Sequence, residues 1–286
     1  MRILIAGAKG QLGRALVRVA PQHQITALGH ERLDITSADS VCEAVRTTRP
    51  ELIINAAAYN DVDGAESHAN LADAVNALGP RLLALESAAA SIPLVHVSTD
   101  YVFDGATDRP YHELDPPHPL SAYGRSKLAG ELAVQALNPR HYIVRTAWLF
   151  DLDGKNFVNT MRALAGQQQV RVVCDQYSSP TYATDLARGI VRIIENNQFG
   201  LYHLAGTGGA TSRYELVSYL YNLLGVTTEV VPVSRHEFKA AAVRPAFSAL
   251  TSVRQPPVML PTWQEGVRAY CDAVGWGPTL ANQSRH

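Results

Sequence analysis

The chain of 286 residues is long enough for one large domain or two small ones, and 47% hydrophobic with 18% charged side chains is an ordinary globular balance. That balance argues against a disordered, collagen-like or disulfide-framed protein. With 25 basic and 26 acidic residues the formal net charge is −1, so no general field draws the molecule to nucleic acid or to anionic lipid.

Taken in chain order, the first half alternates short apolar runs with longer stretches rich in Ala, Leu and Val. Ile3 to Ala6, Ile25 to Leu28, Leu52 to Asn55, Leu94 to Val97 and Tyr142 to Arg145 read as strands buried on both faces. Gln11 to Ala20, Ser37 to Arg46, Leu71 to Ala90 and Ser121 to Ala136 read as the helices between them. This alternation predicts an α/β protein with a Rossmann-type, doubly wound parallel sheet. Residues 1–150 form the expected dinucleotide-binding domain, with a later segment near 180–200 returning to it. Residues 151–286, where the rhythm loosens, are expected to supply mainly a smaller, mixed α/β substrate-binding domain. The stretch from Pro110 to Pro119 holds four prolines and two histidines and predicts an exposed loop. The tail from Pro278 to His286 is expected to fray.

Three scattered cysteines, Cys42, Cys174 and Cys271, match neither a metal-binding spacing nor a secreted framework and read as reduced thiols. No leader-like pattern precedes the first strand, and no apolar run approaches the roughly 18 to 20 residues of a membrane span. A cytoplasmic protein is the expectation.

Three groups of residues carry chemistry. Gly7, Gly10 and Gly13 lie in GAKGQLG, directly after a strand and directly before a helix. In that setting one glycine permits the tight turn, another lets backbone amides approach a pyrophosphate, and the helix N-terminus favours the negative charge. Beyond the second strand, Glu31 suits a ribose 2′-hydroxyl, whereas His30 and Arg32 suit a 2′-phosphate. The balance leans to NADPH, with NADH also admitted.

The second group is SAYGRSKLAGE, which places Tyr123 and Lys127 four apart on one helix face. A neighbouring ammonium would lower the tyrosine pKa, and the phenol would protonate the oxygen formed when hydride reaches a carbonyl. Alone, such a pair is usually a helix-surface contact; beside the glycine turn it is a catalytic pair. The third group is VHVSTDYVFDG, in which a strand ends at Ser98, Thr99 and Asp100. Ligands of parallel sheets lie beyond the carboxyl ends of their strands, so Thr99 is placed to polarise a substrate carbonyl. His96, inside the apolar strand, reads as a satisfied core residue.

Beyond these groups, the order of STDYVFDG, YGRSKLAGE, RTAWLF, NFVNTM, DQYSSPTYATDLA and GLYHLAG resembles the extended short-chain dehydrogenase/reductases, and within them the dTDP-4-dehydrorhamnose reductases. The resemblance implies that Gly10, Gln11 and Leu12 lie along the cofactor pyrophosphate, that Asp34 and Ile35 flank the adenine, and that Ala56, Ala57 and Ala58 line the cofactor cleft. It puts Thr99, Tyr123 and Lys127 in the catalytic positions. It implies sugar contacts from Asp100, Tyr101, Trp148 and Asn156, with walls around Pro180, Thr181 and Arg244. The implied reaction is reduction of the 4-keto group of a nucleotide-linked sugar, in a monomer or a homodimer.

Some bacterial members of that family use a glutamate, two residues after the last loop glycine, in a metal-linked dimer. Ala15 stands there in this chain, so no required divalent metal is expected. Trp148 also suits a core position, and Arg244 suits either a diphosphate or plain solvent exposure. A dehydratase needs a second carboxylate after Asp100, where this chain has Tyr101. A 4-epimerase, another nucleotide-sugar 4-ketoreductase and a non-catalytic subunit resembling the β subunit of methionine adenosyltransferase are the competing readings.

Overall fold

In the computed structural model, which describes residues 1–275, the apolar runs of the first half become parallel strands. The elements are β1 (Arg2–Ala6), α1 (Gln11–Val19), β2 (Gln24–Leu28), α2 (Ala38–Thr48), β3 (Leu52–Asn55), α3 (Gly64–Ser67), α4 (Ala69–Asp73), α5 (Gly79–Ala89), β4 (Leu94–Thr99), α6 (Ala122–Leu137) and β5 (His141–Thr146). They are followed by β6 (Leu149–Phe150), α7 (Phe157–Leu164), β7 (Gln169–Val173), β8 (Tyr177–Ser178), β9 (Thr181–Tyr182), α8 (Ala183–Glu195) and β10 (Gly200–His203). The last are β11 (Thr211–Ser212), α9 (Arg213–Leu224), β12 (Glu229–Val233) and α10 (Trp263–Ala273).

Six strands form one sheet in the order β10-β5-β4-β3-β1-β2, every pair parallel. Alternation along each strand explains the layers on either side of it. Ile3 and Ile5 face a core shared with Leu16 of α1 and Ile190 of α8. Leu4 and Ala6 face the opposite core, with Val41 of α2, Leu83 of α5 and Val134 of α6. A sheet covered by helices on both sides needs strands without polar alternation, which is what the sequence shows.

β2 departs from that expectation. It is the sheet edge, with Gln24 exposed and Ile25, Thr26 and Ala27 only half-buried. The chain leaves β1 for β2 on one side and crosses back to β3 on the other. The crevice between the carboxyl ends of β1 and β3 is therefore the topological switch point, where such sheets receive ligands.

The run read as one helix from Leu71 to Ala90 is interrupted. A π-helical turn over Ala74–Leu78 joins α4 to α5. Buried Asn76 explains the interruption: its Oδ1 accepts from the Tyr59 amide at 2.8 Å, and its Nδ2 donates to the Tyr59 carbonyl and to Ser126 Oγ, each at 3.0 Å. Such turns recur at functional sites, and Ser126 lies on α6 between the two residues singled out above.

The later segments are mixed. α8 packs on α1, and β10 joins β5 in the main sheet. The short pairs β7 with β12 and β6 with β9 contribute to a separate core containing Phe150, Met161, Leu220 and Tyr270, and β8 pairs with β11. The Pro110 to Pro119 segment is not wholly exposed. Leu114 is exposed, but Tyr111 is buried, stacks on Phe103 with centroids 4.0 Å apart, and exchanges backbone hydrogen bonds with Ala249 and Thr251. Among the described residues, no helix is long and apolar enough to cross a membrane. The tail from Pro278 lies outside the described residues.

Candidate active site

The site begins with a turn that only glycine fits. Gly7 has φ +81°, and a Cβ there would stand 2.5 Å from the Ala57 nitrogen, because the turn after β1 presses against the segment after β3. A Cβ on Gly13 would stand 2.4 Å from the Gly7 carbonyl oxygen, so α1 also rests directly on the turn. Gly10 caps α1 with extended backbone, and no side-chain hydrogen bond caps the first turn of that helix. Backbone amides and the positive end of a helix therefore face the switch-point crevice, the arrangement a dinucleotide pyrophosphate needs. Gly7→Ala is expected to weaken NADPH binding by at least about tenfold through this backbone clash; titration of NADPH by its fluorescence measures it, and parental affinity would contradict it.

One cleft of about 320 Å³ runs from this turn to α6. Its walls include Gly10, Gln11, Leu12, Ala56, Ala57, Ala58, Thr99, Asp100, Tyr101, Tyr123, Lys127 and Trp148. Most residues proposed from the sequence are thus brought together. Asn156 lines an adjoining cavity, and its Nδ2 donates to Gln11 Oε1 at 3.0 Å.

Several proposed residues stand apart from the cleft wall. Gly7 lies beneath the turn, while Arg32, Asp34 and Ile35 lie beyond the end of β2. There the Asp34 carboxylate accepts from Thr36, buried Ile35 packs under α5, and Glu31 is paired with Lys9 at 2.7 Å. Arg244 does not face solvent freely: its Nη1 and Nη2 meet the two oxygens of Asp63 at 3.0 and 2.7 Å. Thr181 is buried and spends its hydroxyl on the Ser179 carbonyl and the Gly206 amide. Ala15 is buried in the core under α1.

Tyr123 and Lys127 project from the start of α6, which Ser121 caps through its bond from the Gly124 amide. Ser126 Oγ donates to the Tyr123 carbonyl at 2.8 Å and accepts from Asn76, locking this turn in place. The expected lowering of the tyrosine pKa is not what the surroundings produce. Burial, reinforced by Asp100 and Tyr101, pushes the Tyr123 phenol well above its usual range, and the Thr99 hydroxyl offsets only part of this. The neighbouring ammonium does not offset this burial; Lys127 Nζ donates to the Val97 carbonyl at 2.7 Å. The phenol is accordingly a held proton at neutral pH, which suits a donor.

Burial brings Lys127 down to about 8. Because its ammonium is lost as pH rises through that value, kcat/KM for NADPH, which reports the free enzyme, is expected to fall above about pH 8. A profile flat to pH 10 would contradict this.

Thr99 Oγ1 accepts from the Tyr101 amide at 3.2 Å and donates to Asp100 Oδ1 at 3.1 Å. The buried Asp100 carboxylate is occupied further by Ser248 at 2.5 Å and Ser178 at 3.1 Å, and burial raises its pKa to about 6. Asp100 therefore ties the later segments to the end of β4. His96 is buried with Nδ1 on Asn55 Nδ2 at 3.2 Å, and desolvation keeps it neutral.

Trp148 is more than a core aromatic. It lines both cavities with φ +40°, a strained conformation for a bulky side chain. The sequence reading missed Arg213, the first residue of α9, which also lines both cavities. No motif near it in the string flags a ligand.

A glycine turn at the switch point of a parallel sheet, facing a tyrosine and a lysine one helical turn apart, defines a short-chain dehydrogenase/reductase. The chain belongs to the RmlD substrate binding domain family, whose model matches residues 1–275. It is 37% identical to dTDP-4-dehydrorhamnose reductase of Sinorhizobium fredii, over 94% of this chain and 96% of that one. It is 41% identical to the enzyme of the same name from Mycolicibacterium smegmatis, over 96% and 85%. The structure of dTDP-4-dehydrorhamnose reductase from Bacillus anthracis in complex with NADP superposes with a TM-score of 0.93 at 38% identity, covering 95% of this chain and 99% of that one.

Proposed function

We propose that the protein uses NADPH to reduce the 4-keto group of dTDP-4-dehydro-β-L-rhamnose, giving dTDP-β-L-rhamnose. The observation that carries this reading is the convergence of Thr99, Tyr123 and Lys127 on the cleft that opens from the glycine turn. The relatives' shared name supplies the sugar.

The cradle fits a dinucleotide, since Gly7 and Gly13 let the backbone pack closely under the turn and no side chain caps the first turn of α1. Gly10, Gln11 and Leu12 would hold the pyrophosphate, with Arg32, Asp34 and Ile35 toward the adenosine and Ala56, Ala57 and Ala58 along the cleft. When bound, NADPH supplies the hydride. Tyr123 gives its phenolic proton to the developing alkoxide, while Thr99, whose hydroxyl donates to Asp100, shapes the wall beside the carbonyl. Lys127, fixed by the Val97 carbonyl, would hold the nicotinamide ribose and so keep the cofactor beside the phenol. Tyr101, Trp148 and Asn156 shape the sugar side, whereas Asp100 acts through Ser178 and Ser248 by keeping the two halves of the site in register.

The same assignment divides the chain into a cofactor-binding part over residues 1–150, rejoined by the segment near 180–200, and a mainly substrate-binding remainder. The test is to supply the 4-keto-L-sugar nucleotide, follow NADPH absorbance and identify the product by NMR. One NADPH consumed per 4-hydroxy sugar supports the reading. Inversion at C4 of the 4-hydroxy sugar nucleotide, supplied in place of the ketone and with no net oxidation of NADPH, would replace the reductase by an epimerase, and binding without turnover would leave a regulatory subunit.

A further inference from the structure

Arg213 is placed as no other cation of the site is. Its guanidinium carbon lies 4.3 Å from the centre of the Trp148 ring and 4.7 Å from that of Phe157. Two aromatic neighbours thus shield the group while the side chain reaches both the main cleft and its adjoining cavity. Among the described residues it enters no ion pair, in contrast to Arg244, whose charge is matched by Asp63. Its polar neighbour is the Tyr101 phenol, Arg244 adds a second positive charge nearby, and the Asp100 carboxylate is spent on Thr99, Ser178 and Ser248.

A half-buried cation held between two aromatic rings without a carboxylate partner is open to an anion entering the site. The uncapped first turn of α1 is the place proposed for the cofactor pyrophosphate. We infer that Arg213 binds the diphosphate of the nucleotide-sugar substrate, a role that Arg244 is too engaged to fill. A guanidinium is suited to this, because its fork of donors can meet two phosphate oxygens at once. Trp148 then gains a second purpose: its strained backbone presents an aromatic face that holds the fork in place. This inference rests on the cleft receiving a nucleotide sugar, but not on which carbon of the sugar is reduced.

The experiment is calorimetric titration of the parent, Arg213→Gln and Arg213→Lys with dTDP alone, and separately with NADPH. In Arg213→Gln the dTDP affinity is expected to fall about 10- to 100-fold, the loss of a charge-assisted bidentate contact. Arg213→Lys should recover only part of it, since an ammonium cannot form the fork. NADPH affinity within about twofold of the parent's, on the same scale, shows that the variants are folded. If either variant is too unstable to titrate, the other decides. Parental dTDP affinity in the variants, an equal loss of NADPH binding, or a parent that does not bind dTDP would each overturn the inference. Because dTDP binding needs no turnover, failure of the reductase assay leaves this measurement standing.

Discussion

Tyr123→Phe is expected to lower kcat by about 10²-fold or more, the ordinary worth of a positioned general acid, with NADPH affinity near the parent's. The substitution removes one oxygen and leaves the ring, which packs edge-on against Tyr101 with centroids 5.9 Å apart. Scaffold effects are therefore small, and a loss reports the proton. No ready substitute stands by: the Thr99 hydroxyl already donates to Asp100, and the Lys127 ammonium is turned to the Val97 carbonyl. Single-turnover measurement separates the chemical step from product release. Turnover near the parent's, with chemistry rate-limiting, would remove Tyr123 from the mechanism.

The largest expected effect on stability lies one layer behind the site. Arg145 near the end of β5 and Glu131 of α6 form an ion pair in which both side chains are 4% exposed, with contacts of 2.6 and 2.9 Å. Phe103 lies under the guanidinium at 5.1 Å, and His203 approaches it at 3.5 Å. Glu131→Leu leaves that cation buried without its partner, so a loss of about 3 to 5 kcal/mol is expected in urea denaturation. Pairing it with Arg145→Met should return much of the loss, because an apolar pair has no charge to desolvate. A single variant as stable as the parent would mean that water or another group takes the place of the carboxylate. The pair fixes α6 to the strand that leads into Trp148, so it also sets the distance between the two walls of the cleft.

The residues legible in the sequence share a physical cause. β1, β3, β4 and β5 were readable because strands buried on both faces must be apolar throughout, and GAKGQLG was readable because its glycines are required by backbone contacts at Gly7 and Gly13. Tyr123 and Lys127 followed from helical periodicity. What escaped depended on contacts distant along the chain. Nothing local marks β2 as an edge, and Asn76 breaks its helix only because Tyr59 and Ser126 are there to receive it. The pairing of Arg244 with Asp63 spans 181 residues, and Arg213 gains its place only when α9 folds back beside Trp148. The direction of the Lys127 ammonium is a matter of a single carbonyl near the end of β4, and the tyrosine's held proton is a matter of burial that only the folded chain creates.

Turnover of the 4-keto-L-sugar nucleotide with NADPH deuterated in turn at each face of the nicotinamide C4 probes the chemistry assigned to this cleft most directly. The predicted result is one deuterium at C4 of the product sugar from one of the two labelled forms, with one NADPH oxidised per product. Product free of label from both forms, or sugar altered while NADPH stays reduced, would contradict it.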